Sequence, residues 1–152
     1  MPTFTRLAAF IFFGVAMYYA STQYYLLYDE PPRSGRGHVF VALTAAFIGW
    51  SFVGKRITGS MVRNFTVVIQ GYIAGLLLTL FLYGVYNAFT EGYARRYRDL
   101  EEALEGVFRI STEHLIRMSD SGFLLLLLGL GVGMTVLLTI FHRYAEFRRL
   151  AR

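Results

Sequence analysis

No cysteine occurs in the 152 residues of this chain. That absence excludes disulfides, thiolate metal centres, iron–sulfur clusters and dithiol redox chemistry on the polypeptide itself, and with them a cysteine-borne lipoprotein anchor. Charge is the second scarcity. Only 16% of residues are Asp, Glu, Lys or Arg, and none falls within residues 7–27, 39–54, 65–89 or 123–141. Proton-coupled pumps and exporters bury an ionisable group in their spans, and charge-selective pores ring themselves with one, so both classes are disfavoured. The sequence also lacks a Walker loop, a nucleophile elbow and an HExxH pair, so no catalytic residue is assigned and a non-enzymatic role is expected. The net charge of +5 comes from basic residues scattered at the flanks of apolar blocks. A nucleic-acid surface would need them concentrated on one face, so nucleic acid is not an expected partner.

Apolar residues are what remains. They make up 55% of the chain, with a mean hydropathy of +0.46, and they fall in blocks. From Phe65 to Phe89 no charged residue interrupts a run of Leu, Val, Ile, Phe, Tyr, Ala and Gly. A soluble helix keeps a polar stripe, and this stretch has none. At 1.5 Å per residue it is ~37 Å long, enough to cross a bilayer with some tilt. Four such spans are expected, at about 4–28, 37–54, 65–90 and 121–142. The 4–28 segment is read as a retained span and not as a cleaved secretory signal, because Tyr18 stands where cleavage after Ala20 would want a small residue. Tyr18, Tyr19, Tyr24, Tyr25 and Tyr28 form an interfacial belt at its far end. The 37–54 segment is the shortest, and a re-entrant course is its alternative.

Between the third and fourth spans, residues 99–118 carry Leu100, Leu104, Val107, Phe108, Ser111, Leu115 and Met118 at three- and four-residue steps. That spacing predicts an amphipathic helix, either lying on the bilayer surface or packed onto the bundle, with Asp99 or a neighbour capping its start. The fold class is therefore an all-α membrane protein in one domain, with four transmembrane helices and one amphipathic helix. Four crossings put both termini and the 55–64 turn on one side, where eight Lys/Arg stand against seven on the other. The positive-inside rule then makes the termini cytoplasmic.

Several polar and small residues within the spans are candidates for function or packing. Thr66 and Gln70, one turn apart, suit interhelical hydrogen bonding. Gly71-xxx-Gly75 and Gly129-xxx-Gly133 are small-residue faces for packing within the chain, self-association or docking to a larger assembly. Tyr72, Thr79, Tyr83 and Tyr86 share one line of the third span, and read either as tight aromatic packing or as a quinone- or lipid-binding groove. His38 and His114 can meet at the outer surface, but two histidines from separate segments make no metal site, and no metal or cofactor is expected.

The opening MPTFTRLAAF, the third span running into ARRYRDLEEALEGVFRI, and the following STEHLIRMSD resemble the TrgA family. These are small alphaproteobacterial inner-membrane proteins associated with tellurite resistance. The most specific part is Arg95, Arg96, Tyr97, Glu102, Ala103, Leu104 and Phe108, whereas the tyrosine-flanked first loop departs from the family outline. The resemblance implies an integral inner-membrane protein tied to tellurium tolerance, and it brings no catalytic residues. The leading expectation is a protein that associates with lipids or with other membrane proteins, as a homo-oligomer or within a larger complex. A small oxyanion permease or exporter component, with Arg95, Arg96, Tyr97 and Arg98 gathering anions at its mouth, is the runner-up. An accessory subunit of a membrane electron-transfer complex is the third reading.

Overall fold

The structure is a computed structural model that describes residues 2–27, 35–93 and 100–150. It is all-helical among those residues. The elements are α1 (Pro2–Tyr25), α2 (Arg36–Ile48), a π-helical turn (Gly49–Val53), α3 (Gly54–Arg56), α4 (Met61–Tyr93), α5 (Leu100–Met118) and α6 (Ser121–Leu150). Four helical stretches are long and apolar enough to cross a membrane: Phe4–Tyr25, Arg36–Arg56, Met61–Tyr86 and Ser121–Arg148. The second span is thus longer than the expected 37–54. α2, the π turn and α3 run on without a break for 21 residues, or ~31 Å, which is the thickness of a hydrocarbon core. Its polar ends, Arg36 and Arg56, are helical as well and fall outside an apolar count. Likewise α4 begins at Met61 and α6 continues to Leu150, so the basic turn between the second and third spans contracts to residues 57–60.

The four spans close into a ring in which α1 packs on α2 and α6, and α4 packs on the same two helices from the other side. α1 supplies the tightest face. Thr5, Ala9, Phe13, Ala16, Ala20 and Tyr24 recur at steps of three and four and are all buried. The alanines let α2 approach closely, which is how membrane helices gain dispersion energy without a hydrophobic drive between them. A Cβ built on Gly49 would lie 2.9 Å from the Ala9 carbonyl carbon, and one on Gly54 would lie 2.6 Å from Arg6 Cα, so both glycines are needed for that approach. Phe13 then reaches across the ring. It stands 5.8 Å from the Tyr72 ring of α4, and with Val53, Val68 and Leu138 it fills the centre. The opposite faces expose Ile11, Val15, Phe47, Leu77, Phe81, Leu125, Val132 and Ile140. Apolar surface on that scale belongs against acyl chains.

The π turn sits where α2 meets α1. The Gly54 N–H donates to the Gly49 carbonyl, a bond five residues back, which admits one extra residue per turn. Ser51 fills part of the remaining demand by donating to the Phe47 carbonyl at 2.7 Å. No periodicity in the sequence announces this turn.

α5 has three faces. Val107, Ile110, Ser111, His114 and Met118 are partly buried, and Val107 Cγ1 lies 2.6 Å from where a Gly84 Cβ would stand, so this face packs on α4. Leu104, Phe108 and Leu115 lie about 100° away and are exposed, at 51%, 70% and 43%. Glu101, Glu105 and Arg109 occupy the third, solvent-side face. The sequence reading put Leu104, Phe108, Val107 and Ser111 on one stripe. The stripe is in fact split, one edge touching α4 and the other exposed, so of the two expected placements the helix takes the one packed onto the bundle. Residues 94–99, and the cap expected at Asp99, lie outside the described residues.

Candidate functional sites at the two ends of the bundle

One end of the bundle gathers the beginning of α1, the 57–60 turn and the middle of α6. Phe4 stacks on Phe141 at 6.0 Å, and Arg143 donates to the Gly59 carbonyl from Nη2 at 2.8 Å and Nε at 3.2 Å. The turn is held by Asn64, which is fully buried. Its Oδ1 accepts the Thr58 N–H at 2.8 Å, and its Nδ2 donates to the Thr58 carbonyl at 2.7 Å and to Thr139 Oγ1 at 2.8 Å. Thr139 passes its proton to the Thr135 carbonyl, and Thr135 to that of Gly131. One amide side chain therefore closes the turn and ties α4 to α6.

The interhelical bond expected of Thr66 and Gln70 is made instead by Asn64. Positions 64, 68, 71 and 75 face the ring interior at 100° per residue, whereas 66 and 70 face outward. Thr66 donates to the Val62 carbonyl of its own helix at 3.3 Å, and the Gln70 amide meets no partner among the described residues. Thr66 and Gln70 line a groove of about 370 Å³ with Arg56, Arg63 and Val67. The Arg56 guanidinium lies 3.8 Å over the Phe52 ring. No carboxylate lines the groove, and among the described residues neither arginine is paired with one.

The glycine pairs divide. Gly71 is buried against Val53 and Phe13, where a Cβ would meet Val53 Cγ2 at 2.5 Å, and Gly75 is buried with open space beside it. Gly129 and Gly133 face outward with nothing within 4 Å, so neither packs on another helix among the described residues. Gly131, between them, is the position that faces Tyr72 of α4, at 3.4 Å. The four aromatic-line residues do not share one space either. Tyr72 turns into the core, and its hydroxyl is buried without a hydrogen-bond partner among the described residues. Thr79 is half-buried, Tyr83 meets the His114 ring edge-on at 5.9 Å, and Tyr86 is exposed. They lie on one line of α4, but its first half looks into the ring while its second half meets α5.

The opposite end holds an aromatic and histidine cluster. Tyr24 shares a hydrogen bond with His114 Nδ1 at 2.7 Å, and Ser21 shares one with His38 Nδ1 at 2.9 Å. Tyr25 lies 4.2 Å from the His38 ring and 6.2 Å from the Tyr24 ring. The end of α1 thus docks both the start of α2 and the middle of α5. Burial lowers the His114 pKa, the Arg117 charge lowers it further, and Glu113 opposes both. Among the described residues no group of three His, Asp or Glu side chains is placed to hold a metal. Arg95, Arg96, Tyr97 and Arg98 lie outside the described residues.

Closed ring, lipid-exposed apolar faces and four crossing helices define a multi-pass all-α membrane protein. No family model, curated protein or solved structure matches the chain.

Proposed function

We propose that this chain is a non-enzymatic protein of the bacterial inner membrane, with both termini cytoplasmic, that acts by associating with lipids or other membrane proteins. The resemblance to the TrgA family adds a link to tellurite tolerance. One observation supports the reading most: the buried polar side chains Asn64, Thr135, Thr139 and Thr44 are spent on structure. All four bond to backbone or to each other, and the Tyr72 hydroxyl, buried without a partner among the described residues, is a single group and not a path along the axis. The outward faces, by contrast, carry the large apolar side chains and the small surface of Gly129 and Gly133.

The test pairs function with transport. Cells producing the chain are compared with cells lacking it for growth on tellurite, and vesicles carrying wild type or Arg95→Ala/Arg96→Ala are compared for tellurite uptake. Tolerance that depends on the chain, unchanged flux, and a stoichiometric companion protein or second copy in mild detergent are expected. Flux that appears with the chain and falls in the double variant would make it an oxyanion permease.

A further inference from the structure

The groove on the basic end has the layout of a lipid site. Arg56 closes the second span and Arg63 lies in the first turn of α4, so both guanidinium groups stand at the membrane surface. Both are exposed, and among the described residues no carboxylate neutralises them. Gln70 stands seven residues beyond Arg63, or ~10 Å deeper along the helix. It is exposed there on the lipid side, among the outward residues of α4, and its amide has no partner among the described residues. A primary amide facing hydrocarbon without a partner costs several kcal/mol on alkane transfer scales, so its place in an otherwise apolar face calls for an acceptor in the membrane phase. Phosphate at the surface and ester carbonyls one layer below are the spacing of a glycerophospholipid.

We infer that this groove binds one anionic glycerophospholipid, its phosphate between Arg56 and Arg63 and its ester region at Gln70. The apolar outer face of α4, where Ile73 and Leu77 are exposed, takes the first methylenes of an acyl chain. Juxtamembrane arginines contribute about 1 kcal/mol each toward an anionic headgroup. Removing both corresponds to about 30-fold weaker retention. The site deepens the proposed function by naming a lipid class, and rests on it only for the embedding in a membrane.

The test is native mass spectrometry of the full chain released from detergent containing equal amounts of phosphatidylglycerol and phosphatidylcholine. Isothermal titration with inorganic phosphate runs in parallel. Wild type is expected to retain phosphatidylglycerol in preference, R56A/R63A to lose it about 30-fold, and K55A/R148A, equal in charge but outside the groove, to stay within about twofold of wild type. Q70L, which keeps both charges and sits on an exposed face, is expected to weaken retention about threefold. It guards against the arginine variant failing merely by misfolding. Equal retention of the two lipids, or retention unmoved by R56A/R63A, overturns the site and leaves the non-enzymatic reading standing. Tight binding of inorganic phosphate without lipid retention overturns both and favours the permease. A change of oligomeric state in Q70L, in detergent free of anionic lipid, would make the groove a protein interface and overturn the lipid site.

Discussion

Replacing Asn64 with alanine should be the most damaging single polar substitution in the ring. The side chain makes three bonds of 2.8 Å or less, two to the Thr58 backbone and one to Thr139. Each backbone-directed bond contributes ~1 kcal/mol net, and an interhelical side-chain bond in a membrane ~0.6 kcal/mol. The sum is ~2.6 kcal/mol before counting the stranded Thr58 N–H and carbonyl, so a loss of about 3 kcal/mol is expected. The assay is reversible unfolding in mixed micelles of mild detergent and dodecyl sulfate, followed by circular dichroism, with the slope of the transition checked for constancy. A cycle with Thr139→Val isolates the interhelical part, which should couple to Asn64 by ~0.6 kcal/mol. A shift of under ~0.5 kcal/mol for Asn64→Ala, near the noise of ordinary surface substitutions, would refute the role of this side chain as the clasp of the 57–60 turn.

Three further outcomes follow from geometry. Gly49→Ala should cost about 1–3 kcal/mol through overpacking on the Ala9 carbonyl, and Gly129→Ala, with open space beside it, should leave the unfolding midpoint of the monomer unchanged. Asp120→Ala should cost ~1 kcal/mol at the start of α6, because Asp120 Oδ2 accepts the Phe123 N–H at 3.0 Å; the same micelle titration reads it. The docking of α5 should weaken on acidification. His114 has a folded-state pKa below its ordinary 6.5, so the unfolded or undocked segment binds the extra proton first. The contribution of His114 is then complete above about pH 7 and lost as pH falls through 6.5 and below, read as faster amide exchange in residues 104–118. His114→Gln should flatten that dependence.

The four spans were legible because lipid selects on length and on the absence of charge, and both can be counted directly in a run such as Phe65–Phe89. What was not legible depends on rotation. Thr66 and Gln70 were the obvious polar pair in the third span, yet the helix turns them outward and hands the interior to Asn64, which sits in the first turn of α4, ahead of the apolar run that begins at Phe65. The glycine pairs show the same effect: Gly71 and Gly75 face in, Gly129 and Gly133 face out, and Gly131 between them packs α6 on Tyr72 of α4. On α5 the apolar stripe was visible, but its division into an α4-facing edge and a free edge depends on where Gly84 lets Val107 approach. Asp120 could have been found, since an aspartate three residues before Phe123 is an ordinary capping signal.

The π turn at Gly49–Val53 acts as a phase shift in the second span. By holding one residue more than an α-helical path would, it sets the azimuth of everything after it by about 100°. Lys55 and Arg56 are the residues so aimed, and Arg56 lines the groove beside α4 with its guanidinium over the Phe52 ring. Deleting a single residue there would leave hydropathy and span length almost untouched while pointing that cation away from Arg63. A segment that looks interchangeable by composition thus sets the angle at which the second span ends.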